Sequence, residues 1–298
     1  SDWSSDVCSS DLLLTDPARP VLDLSGTDDI AARWDGGQVR WLSEGEAAEF
    51  EVAAIPADFA AAAEEARAQG IDMAVQPTEG RAKKMLLADM DSTMIGQECI
   101  DELADMAGVG PRVAAITARA MAGELDFEGA LRERVGLLAG LEADVVEQVL
   151  AERITHTAGG RTLIATMKAR GGHAALVSGG FTAFTGPVAA ALGFDEHRAN
   201  VLAVEDGRLT GIAVEPILGR EAKVAALHEI TARLGLSPAD VIAVGDGAND
   251  LGMLELAGTG VALHAKPQVA AQADVRIDQG DLTALLYLQG IPRTEFVQ

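Results

Sequence analysis

The sequence predicts an α/β protein: a doubly wound parallel-sheet core with a helical cap inserted after its first strand, plus a small N-terminal α+β domain. Three observations carry this expectation. From residue 85 onward, short apolar runs alternate with helical stretches, the pattern of a parallel sheet covered on both faces. More than 80 residues of helix-rich sequence separate the first two of those runs, whereas a βαβ unit takes about 30 or more. Polar motifs stand at the ends of the runs, where such sheets bind ligands.

Taken in order, residues 1–12 (SDWSSDVCSSDL) fit no helix or strand period and have no basic region ahead of an apolar stub, so they do not read as a secretory signal. Their end matches the read-through translation of a common DNA-sequencing adapter. The segment is therefore expected to be non-native, with the true N-terminus truncated and Cys8 foreign to the protein. Residues 13–80 read as a small α+β domain. QVRWL and AEFEVA are strand candidates, residues 56–70 form an alanine-rich helix ending on glycine, and IDMAVQ follows as a strand. PTEGRAKK (77–84) joins turn residues to basic ones and makes a linker.

Residues 81–298 form the second domain. Its strand candidates are MLLA, HAALVS, VIAVG and GVAL, with FTGPVAAALG, EAKVAALHEITARLG and LGMLELAG as helices between them. IDELADMAGV, RVAAITARAMAG, FEGALRERVGLLAGL and EADVVEQVLAERI fill the long interval. They define the cap at about residues 97–155, over the C-terminal strand ends.

Composition narrows the function. With 298 residues, 48% of them hydrophobic and 23% charged, the chain is that of a folded globular protein. A net charge of −23 argues against nucleic acid and against an anionic membrane face as partners. An anionic small molecule would have to be held by a few local cations or a bound metal, against the overall field. No apolar run reaches the roughly 18 residues needed to span a bilayer. Two cysteines, Cys8 and Cys99, suggest no disulfide framework, and a reducing cytoplasm is the expected setting. Cys99 reads as a small buried hydrophobe, and the five histidines fall in no metal or triad spacing.

Four motifs carry chemistry. Asp89-Met90-Asp91-Ser92-Thr93 follows the first strand. Two carboxylates one residue apart can face one cleft as nucleophile and acid/base, with Mg²⁺ screening their repulsion, although a capping turn explains such a run equally well in isolation. In VSGGF, Ser178 and two glycines offer a hydroxyl and open backbone N–H groups for a phosphate, or simply a turn. Lys223 opens a helix and would alone read as a solvated lysine. In VGDGANDLGML, Asp246 leaves a strand while Asn249 and Asp250 meet the next helix, more polar residues than a cap requires.

The order DxDxT, Ser-Gly-Gly, Lys, GDGxND is far more specific than its parts, and here the chain resembles the haloacid-dehalogenase superfamily of Mg²⁺-dependent phosphotransferases. DMDSTMIGQECIDELA, MAGELDFEGALRERVGLL, VSGGF, NVLAVEDGRLTG and VGDGANDLGML resemble its phosphoserine phosphatase branch over about 200 residues. Residues 13–80 resemble, more loosely, the ACT-like regulatory domain of bacterial members. The resemblance implies a Rossmann-like core and an aspartyl-phosphate mechanism with Asp89 as nucleophile and Asp91 as general acid/base. It implies Mg²⁺ on Asp89, the Asp91 backbone carbonyl and Asp246, with Asp250 in support. Ser178, Gly179 and Lys223 would bind phosphate, and Asn249 would help orient it. Glu98 and Arg134 would take the ammonium and carboxylate of O-phosphoserine, under the apolar cap positions Met121 and Phe127. Without the resemblance, Glu98 and Arg134 would read as helix-surface ion-pair residues. The implied activity is hydrolysis of phosphoserine at the last step of L-serine biosynthesis, with a homodimer left open as the assembly. Transfer to another alcohol such as homoserine, another phosphomonoester substrate, or a ligand-sensing ACT-type module with vestigial catalysis are the alternatives.

Overall fold

A computed structural model describes residues 9–121 and 124–298. The N-terminal unit runs β1 (Ser9–Thr15), α1 (Leu24–Arg33), β2 (Arg40–Ser43), β3 (Ala47–Val52), α2 (Phe59–Arg67) and β4 (Ile71–Pro77). Its strands form an antiparallel sheet in the order β2-β3-β1-β4, the β-α-β-β-α-β arrangement of ferredoxin-like units. The expected strands and helix of this unit are present. Two further elements, β1 and α1, were not expected. Residues 9–12, whose sequence fits no strand period, form the first half of β1, paired to β3 on one side and β4 on the other. Ser, Ser and Asp have little strand propensity, so the pairing comes from the neighbours on both edges rather than from these residues themselves. Cys8 lies outside the described residues.

The second domain continues with β5 (Met85–Ala88), the cap helices α3 (Cys99–Met106), α4 (Gly110–Met121), α5 (Phe127–Gly136) and α6 (Val145–Glu152), then α7 (Gly160–Ala169), β6 (His173–Phe181) and α8 (Thr182–Leu192). It ends with β7 (Glu196–Glu205), β8 (Arg208–Val214), α9 (Arg220–Leu234), β9 (Val241–Gly245), α10 (Leu251–Leu256), β10 (Thr259–Leu263), α11 (Pro267–Ala270), β11 (Val275–Ile277) and α12 (Ala284–Leu288). The sheet order is β11-β10-β9-β5-β6-β7-β8. Every neighbouring pair is parallel except β7–β8, an antiparallel hairpin that the expectation of an all-parallel sheet did not include.

Alternation within the strands covers both faces. Leu86, Ala88, Leu176, Ile242 and Val244 join one buried cluster, while Met85, Leu87, Val177, Val241 and Ala243 join the other. Because β5 pairs β6 on one side and β9 on the other, its C-terminal end is a topological switch point. The cap enters and leaves there through a narrow neck. Gly96 N–H donates to the Thr155 carbonyl (3.0 Å), Thr157 N–H to that of Met94 (3.0 Å), and the Gln97 amide grips the Thr155 N–H (2.9 Å). The hairpin β7–β8 in turn pairs with the cap, through Gly140 N–H to the Leu209 carbonyl and Leu209 N–H to that of Leu141, both 2.8 Å.

The two units share a core. Leu12, Leu14, Leu42 and Ala74 belong to the same apolar cluster as Leu285, Tyr287 and Leu288. Asp72 of β4, fully buried, accepts N–H bonds from Asp278 (3.0 Å), Gln279 (2.8 Å) and Gly280 (2.9 Å). Residues 78–84, between the units, carry no helix or strand. Among the described residues no helix is long and apolar enough to cross a membrane.

Candidate active site

The three strands at the switch point each deliver one motif. Asp89 follows the last residue of β5, its N–H held by the Val244 carbonyl at 3.0 Å, and Asp246 follows the last residue of β9. Ser178, Gly179 and Gly180 do not end β6, as the sequence suggested. They interrupt its pairing with β7, which shifts register between Val177 and Phe181, so the backbone bulges toward the site. Lys223 lies in the first turn of α9, and it is not a surface lysine: 1% of it is exposed.

Lys223 Nζ sits between Asp89 Oδ1 (2.6 Å) and Asp250 Oδ1 (2.5 Å). Burial pulls its pKa down, but the two carboxylates outweigh burial and hold the ammonium charged, above its ordinary value. Asp250 also accepts the Gly247 N–H (2.9 Å). A Cβ on Gly245 would fall 2.4 Å from the Asp250 carboxyl carbon, so only glycine lets Asp250 lie against the strand end. Asp246 accepts the hydroxyl of fully buried Thr93 at 3.1 Å. One carboxylate oxygen each from Asp89, Asp246 and Asp250 lie within 4.8 Å of one another. Burial, and then the Asp250 charge, pushes Asp89 well above the usual carboxylate range. The same causes, with Glu98 added, raise Asp246 to about 6. Three carboxylates and one ammonium leave an excess of acidic groups in a buried site, and every donor is a hard oxygen. That donor set fits a small divalent cation of the Mg²⁺ kind.

Asp91, half-buried, accepts the Cys99 N–H (2.8 Å) and the Ser178 hydroxyl (3.2 Å). Burial and the nearby Glu98 raise its pKa to about 6 against those two donors. The Ser178 hydroxyl itself accepts the Gly180 N–H at 2.8 Å. From the cap, the Phe127 ring lies over Gly179, where an added Cβ would meet it at 3.0 Å. Glu98 is exposed at the start of α3 and accepts the Ser92 hydroxyl (2.9 Å). Arg134 is half-buried on α5; burial lowers its pKa, and the charges of Asp101, Glu98 and Asp91 oppose that. It makes no ion pair among the described residues; its Nε donates to the Ala130 carbonyl (3.2 Å).

The structure therefore brings together Asp89, Asp91, Ser178, Lys223, Asp246 and Asp250, with Gly179 under Phe127. Asn249 stands beside them, half-buried, without a hydrogen bond to the cluster among the described residues. Met121 closes α4, and its side chain lies outside the described residues. Sequence reasoning assigned nothing to Thr93, the last residue of the DxDxT run, or to Asn200 of β7, which binds the Gly179 carbonyl at 2.8 Å.

A haloacid dehalogenase-like hydrolase family model matches residues 86–255. The chain is 45% identical over 253 residues to a phosphoserine phosphatase of Streptomyces coelicolor, an alignment covering 84% of this chain and 62% of that protein. It thus spans less than two thirds of that relative's length. A crystal structure of a HAD-family hydrolase from Salmonella enterica serovar Typhi superposes with a TM-score of 0.85 at 31% identity, over 96% of this chain and 98% of the other. A structure described as a phospho-aspartyl intermediate analogue of phosphoserine phosphatase matches at 43% identity with a TM-score of 0.64, over 69% of this chain and 98% of its own. Family model, sequence relatives and strand-end geometry agree: the chain belongs to the haloacid dehalogenase-like hydrolase family.

Proposed function

We propose that the chain is a Mg²⁺-dependent phosphoserine phosphatase of the cytoplasm, a phosphoric monoester hydrolase that converts O-phospho-L-serine into L-serine and phosphate at the last step of serine biosynthesis. The observation that carries this reading is the buried row Asp89–Lys223–Asp250 with Asp246 beside it. It joins a carboxylate nucleophile, a cation for a phosphate and an all-oxygen acidic cluster. The relatives named above as phosphoserine phosphatases, one with a phospho-aspartyl intermediate analogue, support the same substrate and chemistry.

Asp89, Asp246 and the backbone carbonyl of Asp91 would hold Mg²⁺, with Asp250 anchoring Lys223 and backing the metal's waters. When bound, the ion supplies positive charge to the phosphoryl oxygens. Lys223, the Ser178 hydroxyl and the Gly179 N–H seat the phosphate, helped by Asn249. Asp89 attacks phosphorus in line and forms an aspartyl-phosphate. Asp91, oriented by the Cys99 N–H and Ser178, gives a proton to the departing seryl oxygen. It then takes one from the water that hydrolyses the intermediate. Fixed charge on the transferring group is the larger contribution to the rate.

Substrate choice belongs to the cap. Glu98 takes the ammonium and Arg134 the carboxylate, for which a planar guanidinium is suited. That Arg134 is half-buried and pairs with no carboxylate among the described residues supports a role beyond helix-surface ion pairing. Phe127, seated on Gly179, would shield the reaction from bulk water. Phosphate release across a panel of phosphomonoesters, with EDTA, with Mg²⁺ restored, and with homoserine as acceptor, tests the reading. Release from phosphoserine is expected to exceed that from the others, to stop with EDTA and to return with Mg²⁺. Metal-independent turnover, or phosphohomoserine as the main product, would overturn it.

A further inference from the structure

Asn200 is 2% exposed, in the middle of β7, and the mechanism above makes no use of it. We propose that Asn200 is a positioning residue for the phosphate seat, orienting Ser178 and locking the Ser178–Gly180 bulge to the segment that leads into Lys223. The proposal rests on the phosphatase reading for its catalytic consequence, though not for its geometry.

The Asn200 amide makes three hydrogen bonds to two separate stretches of backbone. Its Nδ2 donates to the Gly179 carbonyl at 2.8 Å and to the Leu218 carbonyl at 3.1 Å, and its Oδ1 accepts the Leu218 N–H at 2.6 Å. The partners fix the amide orientation, since a carbonyl can only accept and an N–H can only donate. No other short side chain supplies two donors and an acceptor here: aspartate lacks the donors, and serine has one.

The bond to Gly179 reaches the chemistry through one rigid unit. The Gly179 carbonyl and the Gly180 N–H belong to the same planar trans peptide and point in opposite directions. Drawing the carbonyl toward Asn200 turns the Gly180 N–H toward Ser178, whose Oγ accepts it at 2.8 Å. With that lone pair engaged, the Ser178 hydroxyl keeps its own proton for the site, and it donates to Asp91 Oδ2 at 3.2 Å. On the other side, Leu218 immediately precedes Gly219, the N-cap of α9, and Lys223 lies in that helix's first turn. One buried amide thus sets the spacing between the hydroxyl and the ammonium that share a phosphate. Gly179 and Gly219 are also the two glycines on which the Phe127 ring rests, at 3.0 and 3.2 Å from the positions of added Cβ atoms. Asn200 braces the floor of the cap's landing site as well.

The test uses the full chain with Asn200→Asp, which keeps shape but turns a carboxylate toward two carbonyls, and Asn200→Ser, a milder change in case the first fails to fold. Loss of positioning should raise KM for phosphoserine and the inhibition constant of inorganic phosphate by at least about tenfold and lower kcat/KM by about 100-fold, at unchanged circular dichroism. A folded variant with a lower melting temperature but KM and inhibition constant within about twofold of the parent would overturn the proposal, since that is all a structural role would do. The two readings separate cleanly. A parent inactive on every phosphomonoester overturns the function, and positioning is then judged by hydrogen exchange at the Gly180 amide. Exchange at least about tenfold faster in Asn200→Ser supports it, and equal rates overturn it.

Discussion

Asp11 sits on the central strand of the N-terminal sheet, fully buried, and neither carboxylate oxygen has a hydrogen-bond partner among the described residues. Its neighbours across the strands are Phe50 and Val75. Burial alone raises its pKa from 3.8 to about 7. A folded-state pKa above the unfolded one means that the folded protein binds this proton more tightly, so stability falls as pH rises from about 4 and the loss levels off above about 7. The shift corresponds to a cost of about 1.5 kcal/mol at pH 5 and about 4 kcal/mol at pH 8. Asn has the same shape and no charge, so Asp11→Asn isolates the ionisation. Urea unfolding of both proteins between pH 5 and pH 8 should give a stability difference that grows by about 2–3 kcal/mol in favour of the variant. The difference between the two proteins cancels the other raised carboxyl groups, Asp89 and Asp246 among them, which titrate in both. A pH-independent difference would refute the reasoning, because the buried carboxylate would then have found water or a partner.

Three further outcomes are expected. Asp89→Asn should abolish turnover of phosphoserine, by about 10⁴-fold or more in kcat, and retained activity in the purified variant would remove Asp89 as nucleophile. Thr93→Val keeps shape but strips Asp246 of its donor, and should weaken Mg²⁺ by about 10–100-fold in a metal titration of the purified protein. Arg134→Ala should raise KM for phosphoserine by about tenfold or more while leaving that for p-nitrophenyl phosphate unchanged; equal effects would return Arg134 to a structural role.

What could be read from the sequence followed the strength of its periodicity. The buried strands β5 and β9 are unbroken apolar runs, and an aspartate follows the end of each. The hairpin β7–β8 did not announce itself, because one face is solvated: Val201, Val204, Ile212 and Val214 are exposed, and polar residues interrupt the rest. β11 has three residues, too few for any period. β1 begins with Ser, Ser and Asp, whose strand state comes from β3 and β4. The shared core of the two units is a matter of long-range packing between Leu12 or Leu14 and residues near 285, which no local pattern encodes. Lys223 looked like a surface residue in isolation; only the fold encloses it. Thr93 stood in the motif without a role, and Asn200 is one asparagine among ordinary strand residues until the bulge at Gly179 is brought next to it.

The neck at residues 94–97 and 155–157 bears on how such a protein can change over evolutionary time. β5 and β6 pair in register, Met85 with His173 through Ala88 with Leu176, although a whole helical unit is threaded between them. Because the chain leaves and returns at adjacent points, the sheet does not register what is inserted there. Lengthening, recombining or replacing the inserted helices leaves Asp89 and Asp246 at their strand ends and Lys223 on α9, while Glu98, Phe127 and Arg134 change. Under the proposed function, reactivity and substrate choice would be separable modules. A transplanted cap should alter which phosphate ester is chosen before it alters how the ester is cleaved.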